Sequence, residues 1–403
     1  MPEAVIVACA RTPFGKFGGA LRPLSAAWLG GLAIAEVVRR AGVDSAEADE
    51  VIMGGVLSAG QGQIPARQAA AKGGVPASVP ALQVNKVCGS SLKAVTLAAQ
   101  AIRAGAAEMV IAGGMESMSN APYVVEGMRW GARMNDAIMK DAMVLDGLWC
   151  PQNDVHMAVI GGAVAAEHGV GREAQDSWAL RSQQRWAAAE AGGLFDAERF
   201  PVEVPGPRGI TSRVDRDEAP RPQTEAHDLA KLKPLFVDDG TVTAGNAPGT
   251  NDGAAALVIM SRGKAKRTGA TVLATIKGYA QASAEPRYIA TVPGHAIAAL
   301  MAKTGLTLER IDRFEINEAF AAVPLVSGLS VLGLTEDQLD AKVNVNGGAV
   351  AVGHPIGATG ARIIMTLINE MRHSGLKSGV AAICSGMAQG DAIWLEAGEE
   401  MNS

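Results

Sequence analysis

The chain has few cysteines, few aromatic side chains and no long apolar run. Its 403 residues include four cysteines, none in a C-x-x-C pair, which argues against a disulfide scaffold and favours a reducing compartment. No stretch approaches the roughly 20 consecutive apolar residues of a membrane span, and the first residues, MPEAVIVACARTP, do not resemble a secretory signal. Lys plus Arg number 36 against 41 Asp plus Glu, so there is no overall basic character for nucleic acid. We therefore expect a cytoplasmic protein with no membrane or nucleic-acid partner.

Glycine, by contrast, is abundant. The 48 glycines and the 4% aromatic content indicate tight turns and close packing of helices on strands, as in alternating α/β folds. The apolar run 4–10 predicts a buried strand, and 29–42 predicts a helix that Gly42 ends. Helical spacing over 91–105 predicts a second helix, and a strand is predicted at 107–117. The sequence thus favours an α/β protein.

An internal repeat divides the chain. Residues 33–53 align without a gap to 296–316, and both copies predict a helix, a glycine break and a short strand. We infer two similar α/β halves. The intervening composition differs, and the proline- and charge-rich stretch 201–228 is predicted to be a long loop. The predicted division has three parts: a first half of 1–120 plus 251–276, an inserted loop domain of 121–250, and a second half of 277–403.

Two residues at predicted helix starts carry the candidate chemistry. Cys88, in NKVCGSSLKAV, precedes a helix, where free backbone N–H groups and the helix dipole favour the reactive thiolate. A small buried apolar residue is the alternative interpretation of this cysteine. His354 lies in the glycine-rich loop NGGAVAVGHPIGATG before another helix, where filling a core is an unsatisfactory explanation. If the halves are equivalent, the two loops meet at one sheet edge as nucleophile and base.

Two further residues end predicted strands. Cys384, in AAICSGMAQGDA, is alone best read as a buried structural cysteine, but beside Cys88 and His354 it becomes an acid/base candidate. Asn317, in FEINEAF, either ends a strand or offers an amide that holds a water or polarises a carbonyl. The His354 loop does not match G-x-G-x-x-G in register, which disfavours a dinucleotide site. The six histidines show no ligand spacing, so no metal site is expected.

Five motifs together resemble one family. NKVCGSS, AGGMESMSNAPY, TAGNAPGTNDGAAA, INEAFAA and NGGAVAVGHPIGATGARI follow one another as in the thiolases and span most of the chain. The resemblance implies a layered αβαβα fold of two similar halves, with an inserted loop domain that covers coenzyme A. It implies that acetyl-CoA acylates Cys88 after His354 takes the thiol proton, and that Cys384 deprotonates the second acetyl-CoA. Asn317, through a water, and His354 would form one oxyanion hole, and the N–H groups of Cys88 and Gly386 the other.

The resemblance also implies a substrate site and partners. The matching positions for CoA and acyl contacts are Leu148, His156, Met157, Arg221, Phe236, Ala247, Pro248 and Phe320. The implied partners are acetyl-CoA, acetoacetyl-CoA, CoA and further copies of the chain, as a dimer or tetramer, and no cofactor is implied. Three segments depart from the family pattern, namely CSGMAQG, GNAPG and HMAVIGG, in which side chains replace glycines or polar groups are lost.

The expected activity is the condensation of two acetyl-CoA to acetoacetyl-CoA and CoA, or the reverse thiolysis. One alternative is a 3-ketoacyl-CoA thiolase of fatty-acid degradation. A catalytically weak CoA- or lipid-binding protein is the alternative from another class, because the turn after Cys384 is altered. A decarboxylating ketoacyl synthase is disfavoured, since those relatives typically use two histidines and lack the second cysteine.

Overall fold

The computed structural model describes residues 1–398. Its strands are β1 (Ala4–Arg11), β2 (Gly15–Lys16), β3 (Glu50–Gly54), β4 (Ala81–Val84), β5 (Met109–Ser117), β6 (Tyr123–Val124), β7 (Lys140–Asp141), β8 (Trp149–Cys150), β9 (Val155–His156), β10 (Val202–Pro205), β11 (Thr211–Val214), β12 (Asn251–Ser261), β13 (Ala274–Ser283), β14 (Arg313–Ile316), β15 (Ser378–Ser385) and β16 (Gln389–Ala397). Its α-helices are α1 (Ala26–Ala41), α2 (Pro65–Lys72), α3 (Ser90–Arg103), α4 (Met157–Glu167), α5 (Arg172–Ala191), α6 (Ala226–Ala230), α7 (Arg262–Thr268), α8 (Val292–Thr304), α9 (Ala322–Leu325), α10 (Glu336–Lys342), α11 (Ala349–Val352) and α12 (Thr359–His373).

The main sheet has the same strand pattern on both sides of its centre. Its order is β14-β15-β16-β13-β1-β12-β5-β3-β4, with β2 beside β12. Outward from the β1–β13 seam, each side has antiparallel neighbours followed by a parallel pair, β5–β3 in one half and β15–β14 in the other. The two halves inferred from the repeat are therefore confirmed.

The repeat extends to individual hydrogen bonds. Asp49 and Asp312 occupy equivalent positions in the aligned segments. The carboxylate of Asp49 accepts the backbone N–H groups of 108–109 at 2.7 and 3.0 Å, where β5 begins. The carboxylate of Asp312 accepts those of 377–378 at 2.9 Å, where β15 begins. In each half, an aspartate at the equivalent position thus binds the start of the neighbouring parallel strand through two backbone N–H groups.

Helices cover both faces of the two half-sheets. Helices α1 and α2 pack on the outer face of the first half and α8 on that of the second, while α3 and α12 contact each other between the halves. Three apolar cores fill the spaces between these layers. This arrangement confirms the predicted layered αβαβα fold. It also brings the N-terminal ends of α3 and α12 together, since the Ala361 N–H donates to Ser91 Oγ at 2.9 Å.

The inserted region 121–250 contains α4 to α6 and three short ribbons. Part of the stretch expected to be a loop is instead the β10–β11 hairpin, because Val202 and Val204 alternate with exposed residues and bury against the first half. The predicted domain division stays a prediction. Its boundary after residue 276 falls inside β13, and 399–403 lie outside the described residues.

Buried ion pairs hold this region on the first half. Arg11 Nε lies 2.6 Å from Glu198 Oε1, and its Nη1 lies 2.7 Å from Asp217 Oδ1. Asp217 also accepts the Phe14 N–H at 2.7 Å.

Among residues 1–398, no helix is long and apolar enough to cross a bilayer.

Candidate active site

The turn before α3 presents Cys88. Val87 has a left-handed φ of 45°, and its N–H donates to Asn85 Oδ1 at 3.0 Å. Ser90 Oγ accepts the Lys86 N–H at 2.9 Å and donates to the Val87 carbonyl at 2.6 Å. These bonds close a tight turn, so that the thiol of Cys88 stands at the start of α3 with 8% of the residue exposed.

Burial, more than the helix, sets the charge of this thiol. Burial raises the pKa of Cys88 to about 12, and the nearby Glu116 carboxylate adds to the rise. The helix dipole, which favours the thiolate, is outweighed at Cys88 by the loss of hydration. The thiol needs a base to become a nucleophile.

His354 provides an unprotonated nitrogen. Its Nδ1 lies 2.7 Å from Thr359 Oγ1, and that hydroxyl lies 2.9 Å from the Pro355 carbonyl, which can only accept. The Thr359 proton is thus committed to Pro355, and Oγ1 accepts from Nδ1–H. Nε2 then carries a free lone pair, and it is buried without a hydrogen-bond partner in the described structure. Burial lowers the pKa of His354 to about 3, helped by the charge of Arg362, so the imidazole is neutral.

Two side chains from other segments, the amide of Asn251 and the carboxylate of Glu116, fix the His354 loop. Asn251 Oδ1, from β12, accepts the His354 backbone N–H at 2.9 Å. The Glu116 carboxylate accepts the Gly357 N–H at 3.0 Å and two N–H groups of 56–57 at 3.1 and 3.2 Å. Three segments that are distant in sequence are joined by one buried side chain, although burial raises the pKa of Glu116 to about 7.

Asn317 and Glu318 are neighbours with opposite roles. The Glu318 carboxylate is saturated, since it accepts from Trp178 Nε1 at 2.9 Å, Ser182 Oγ at 2.7 Å and Asn344 Nδ2 at 3.1 Å. Neither amide atom of the buried Asn317 has a partner among the described residues. A buried amide without partners is costly unless a water or ligand completes it. Glu318 anchors the loop, and Asn317 is free to bind.

Cys384 lies at the end of β15, fully buried. Burial raises its pKa well above the ordinary value, and the proximity of Cys88 adds to the rise. The following turn packs on the Cys88 turn, because a Cβ at Gly386 would lie 2.8 Å from Val87 Cγ2. The structure thus brings Cys384 and Gly386 to the Cys88 turn, and the α3–α12 contact brings the helix that follows His354 to the start of α3. Asn317 follows β14, which pairs with the strand that ends at Ser385.

The altered turn keeps a conformation that suits glycine. Met387 and Ala388 have φ values of 59° and 50°, the left-handed region that L-residues disfavour. Ala388 is buried, whereas Met387 is partly exposed. Replacing the family's glycines has therefore left the turn in a left-handed conformation.

The expected substrate residues fall into two groups. Arg221, Ala247 and Pro248 line one cleft of about 420 Å³, together with residues of the loop 16–17. Arg221 is exposed, and its backbone N–H donates to Gln183 Oε1 at 2.7 Å. The remaining five do not line that cleft and are Leu148, His156, Met157, Phe236 and Phe320.

Four members of this second group lie at or near α4, and Leu148 lies elsewhere. His156 caps α4 by accepting the Ala158 N–H at 3.1 Å, and its ring stacks on Phe236 with centroids 4.0 Å apart. Phe320 packs on α4, where a Cβ at Gly161 would lie 2.7 Å from its ring. Met157 joins the same core, and Leu148 packs on the core between the halves. Their role in substrate binding stays a prediction.

Sequence reasoning missed the groups that orient the site. Thr359, Asn251, Glu116 and Ser385 each bond to a catalytic loop through side-chain atoms. The signal that could have revealed Glu116 is a charged residue inside an otherwise apolar strand. Within residues 1–398, no group of three His, Cys, Asp or Glu could hold a metal ion.

Comparison with known proteins agrees with this geometry. Residues 4–263 match the family model for the thiolase N-terminal domain, and 270–397 match that for the thiolase C-terminal domain. The chain belongs to the thiolase family. Both the predicted family and the predicted acyltransferase class are thereby confirmed.

Several relatives of this thiolase extend over nearly its whole length. An acetyl-CoA acetyltransferase of Pseudomonas aeruginosa is 49% identical over 98% of this chain and 99% of its own. An acetyl-CoA acetyltransferase of Cupriavidus necator is 49% identical over 98% and 100%. The crystal structure of the Bacillus anthracis acetyl-CoA acetyltransferase matches with a TM-score of 0.94 and 39% identity, covering 98% of this chain and 99% of that one. That of human mitochondrial 3-ketoacyl-CoA thiolase gives 0.93 and 38%, with the same coverage.

Proposed function

We propose that this thiolase is an acetyl-CoA C-acetyltransferase that condenses two acetyl-CoA to acetoacetyl-CoA and CoA and catalyses the reverse thiolysis. The observation that carries the proposal is a neutral, buried histidine whose Nε2 has no partner, in a protein that also places two buried thiols, Cys88 and Cys384, close to each other. The names of the relatives at 49% identity support this substrate.

In the first half-reaction, Cys88 becomes acylated. Nε2 of His354 takes the thiol proton, and the thiolate sulfur attacks the carbonyl carbon of acetyl-CoA. The C–S bond to CoA then breaks, and the CoA thiolate takes the proton back from His354. The low basicity of the buried imidazole favours this return, since the imidazolium is unstable there.

In the second half-reaction, Cys384 acts as base. The Cys384 thiol first gives its proton to Nε2 of the neutral His354, and its thiolate then removes a methyl proton from a second acetyl-CoA. The resulting enolate carbon attacks the acyl carbon on Cys88, and the departing Cys88 thiolate takes the proton from His354. A raised pKa makes this thiolate a stronger base, which suits removal of a carbon-bound proton. Asn317, through a water, and His354 would stabilise the enolate oxygen, and the N–H groups of Cys88 and Gly386 the tetrahedral oxygen. Cys88 leaves as acetoacetyl-CoA is released.

The cleft beside Arg221 is the proposed seat of the CoA nucleotide. Lys16 and Arg221 both line it, so two cations flank the space where an anionic nucleotide would lie. Ala247 and Pro248 form the apolar side toward the His354 loop, a path suited to pantetheine. The site requires no cofactor beyond its CoA thioester substrates.

Two exposed features support a homo-oligomer, a dimer or tetramer, and the four widely spaced cysteines support a reducing compartment such as the cytoplasm. Strand β4 ends the main sheet, and its Leu82 is 43% exposed, so the edge is open to a second strand. The segment 123–149 exposes large apolar side chains, among them Trp130 at 87%. Such a patch is typical of a protein contact.

The test is intact-protein mass spectrometry after mixing with acetoacetyl-CoA, followed by a CoA-dependent cleavage assay across chain lengths. We expect an acetyl group on Cys88 and fastest turnover at four carbons. Cys88→Ser should abolish acylation, whereas Cys384→Ala should still acylate but fail to condense. A preference for long chains would instead favour the degradative 3-ketoacyl-CoA thiolase. Absence of any acylation would favour the CoA-binding protein without activity.

A further inference from the structure

A buried ion pair joins the turn that carries Cys88 to the strand beside Cys384. Lys86 Nζ lies 2.7 Å from Asp391 Oδ2, and their side chains are 13% and 1% exposed. The other carboxylate oxygen of Asp391 accepts Gln281 Nε2 at 2.7 Å. In the β15–β16 ladder, Asp391 pairs with the residue before Cys384. The ion pair therefore spans the two cysteine-bearing segments.

A second link joins the same segments through Ser385. Its hydroxyl donates to the Lys86 carbonyl and lies 3.4 Å from the Gly89 N–H. Asp391 also packs closely against this turn, because a Cβ added at Gly89 would lie 3.0 Å from its Oδ2. Lys86 precedes Cys88 and Gly89 follows it, so the links hold the turn on both sides of the nucleophile.

This network has no evident part in the charge of the thiol. The raised pKa of Cys88 comes from burial and from Glu116, a residue of β5 outside the network. Nor is a buried ion pair good evidence for stability, since the desolvation of both ions offsets much of their attraction. What the contacts do directly is fix one segment against the other.

We propose that Lys86, Asp391 and Ser385 are positioning residues that hold Cys88 at the separation from Cys384 that carbon–carbon bond chemistry requires. The proposal rests on the proposed function, in which the two thiols act on the same reacting atoms. Acyl transfer between acetyl-CoA and Cys88 uses the Cys88 turn, His354 and the Gly386 N–H, but it does not need the Cys384 thiol. Cleavage of acetoacetyl-CoA needs Cys384 as well, because the departing acetyl-CoA carbanion must be protonated. Loosening the link should therefore affect the two reactions unequally.

The experiment compares two rates in Lys86→Met, Asp391→Asn and Ser385→Ala. One is the exchange of labelled CoA into acetyl-CoA, which reports acyl transfer. The other is the thiolysis of acetoacetyl-CoA, with kcat and KM determined separately. We expect kcat for thiolysis to fall about 10- to 100-fold, because a misplacement of about 1 Å costs on this order. Exchange should change less than about threefold, and KM less than about twofold.

Lys264→Met is the matched control. Lys264 pairs with Glu47 at 2.6 Å and its side chain is 14% exposed, which is close to Lys86, but it lies on α7 away from the site. Neither rate should change in this variant. Lys86→Arg, which keeps the charge, should recover part of the lost thiolysis.

Two results would overturn the proposal. Equal losses of exchange and thiolysis would show general damage, and unchanged thiolysis in Asp391→Asn and Ser385→Ala would show that the links do not position anything. If Asp391→Asn does not fold, Ser385→Ala decides alone, since it removes one hydroxyl. Failure of the proposed function is distinct, because the unaltered protein would then show neither exchange nor thiolysis.

Discussion

The left-handed turn at Met387 predicts that a glycine there should stabilise the fold. The φ of 59° costs an L-residue roughly 1–2 kcal/mol. Glycine avoids that cost but loses about 0.5–1 kcal/mol more chain entropy on folding. Met387→Gly should therefore exceed Met387→Ala in unfolding free energy by about 0.5–1 kcal/mol. Met387→Ala is the reference because it keeps the backbone restriction while removing the side-chain contacts.

The assay is urea unfolding of each variant at one protein concentration, followed by tryptophan fluorescence. Met387→Asn should fall between alanine and glycine, because asparagine tolerates this region, and Met387→Val should be the least stable. In a thermal scan the glycine–alanine difference corresponds to only about 1 °C in a chain of this size, so denaturant titration is the better measurement.

In a matched control, a substitution to glycine should lower the free energy of unfolding instead of raising it. Ala104, which ends α3, has a φ of −77°, so Ala104→Gly should destabilise by about 0.5–1 kcal/mol. The reasoning is refuted if Met387→Gly is no more stable than Met387→Ala while Ala104→Gly behaves as expected.

Three further predictions concern His354. Thr359→Val removes the acceptor for Nδ1–H and should lower kcat for acyl transfer about 100-fold, whereas Thr359→Ser should retain most of it; similar rates in both would contradict the assigned tautomer. Gly353 has a φ of 101° and no room for a Cβ against Asn251, so Gly353→Ala should displace the His354 loop and reduce CoA exchange at least tenfold, measured beside its far-ultraviolet circular dichroism. Because the folded pKa of His354, about 3, lies below its ordinary 6.5, the unfolded chain binds this proton first as pH falls. Stability should decrease below pH 6.5 by up to about 1.4 kcal/mol per pH unit, and His354→Gln should lack this loss in urea titrations between pH 6 and 5.

The sequence could predict the architecture because its signals are local and repeated. The helix that Gly42 ends and the strand predicted at 107–117 follow from apolar spacing, and the aligned segments 33–53 and 296–316 imply equivalent halves. The family motifs then predicted Cys88 and His354 as the reactive pair, and that assignment stays a prediction. These inferences need only neighbours along the chain or motifs in order.

The remaining features depend on contacts between distant segments. Ser385 meets the Lys86 carbonyl across 299 positions of sequence, and Glu116 meets Gly357 across 241. No pattern within either segment specifies such a partner. The raised pKa of Cys88 depends on such contacts too, because burial is a property of the assembled layers. Local sequence shows the helix start but not the water that the fold removes.

The seam between the halves has a consequence for recombining relatives. Strands β1 and β13 meet through the residue pairs Val5–Thr275 and Ile6–Ala274, a short ladder for joining two such large units. Alignment of one half on the other must therefore depend on contacts beyond this ladder, foremost on α3 against α12, whose starts lie near the proposed reacting groups. A chimera that takes each half from a different thiolase should thus succeed or fail according to whether its two central helices match. A chimera whose β1 and β13 strands pair correctly would fold, but we expect it to be active only if its α3 and α12 also pack as they do here.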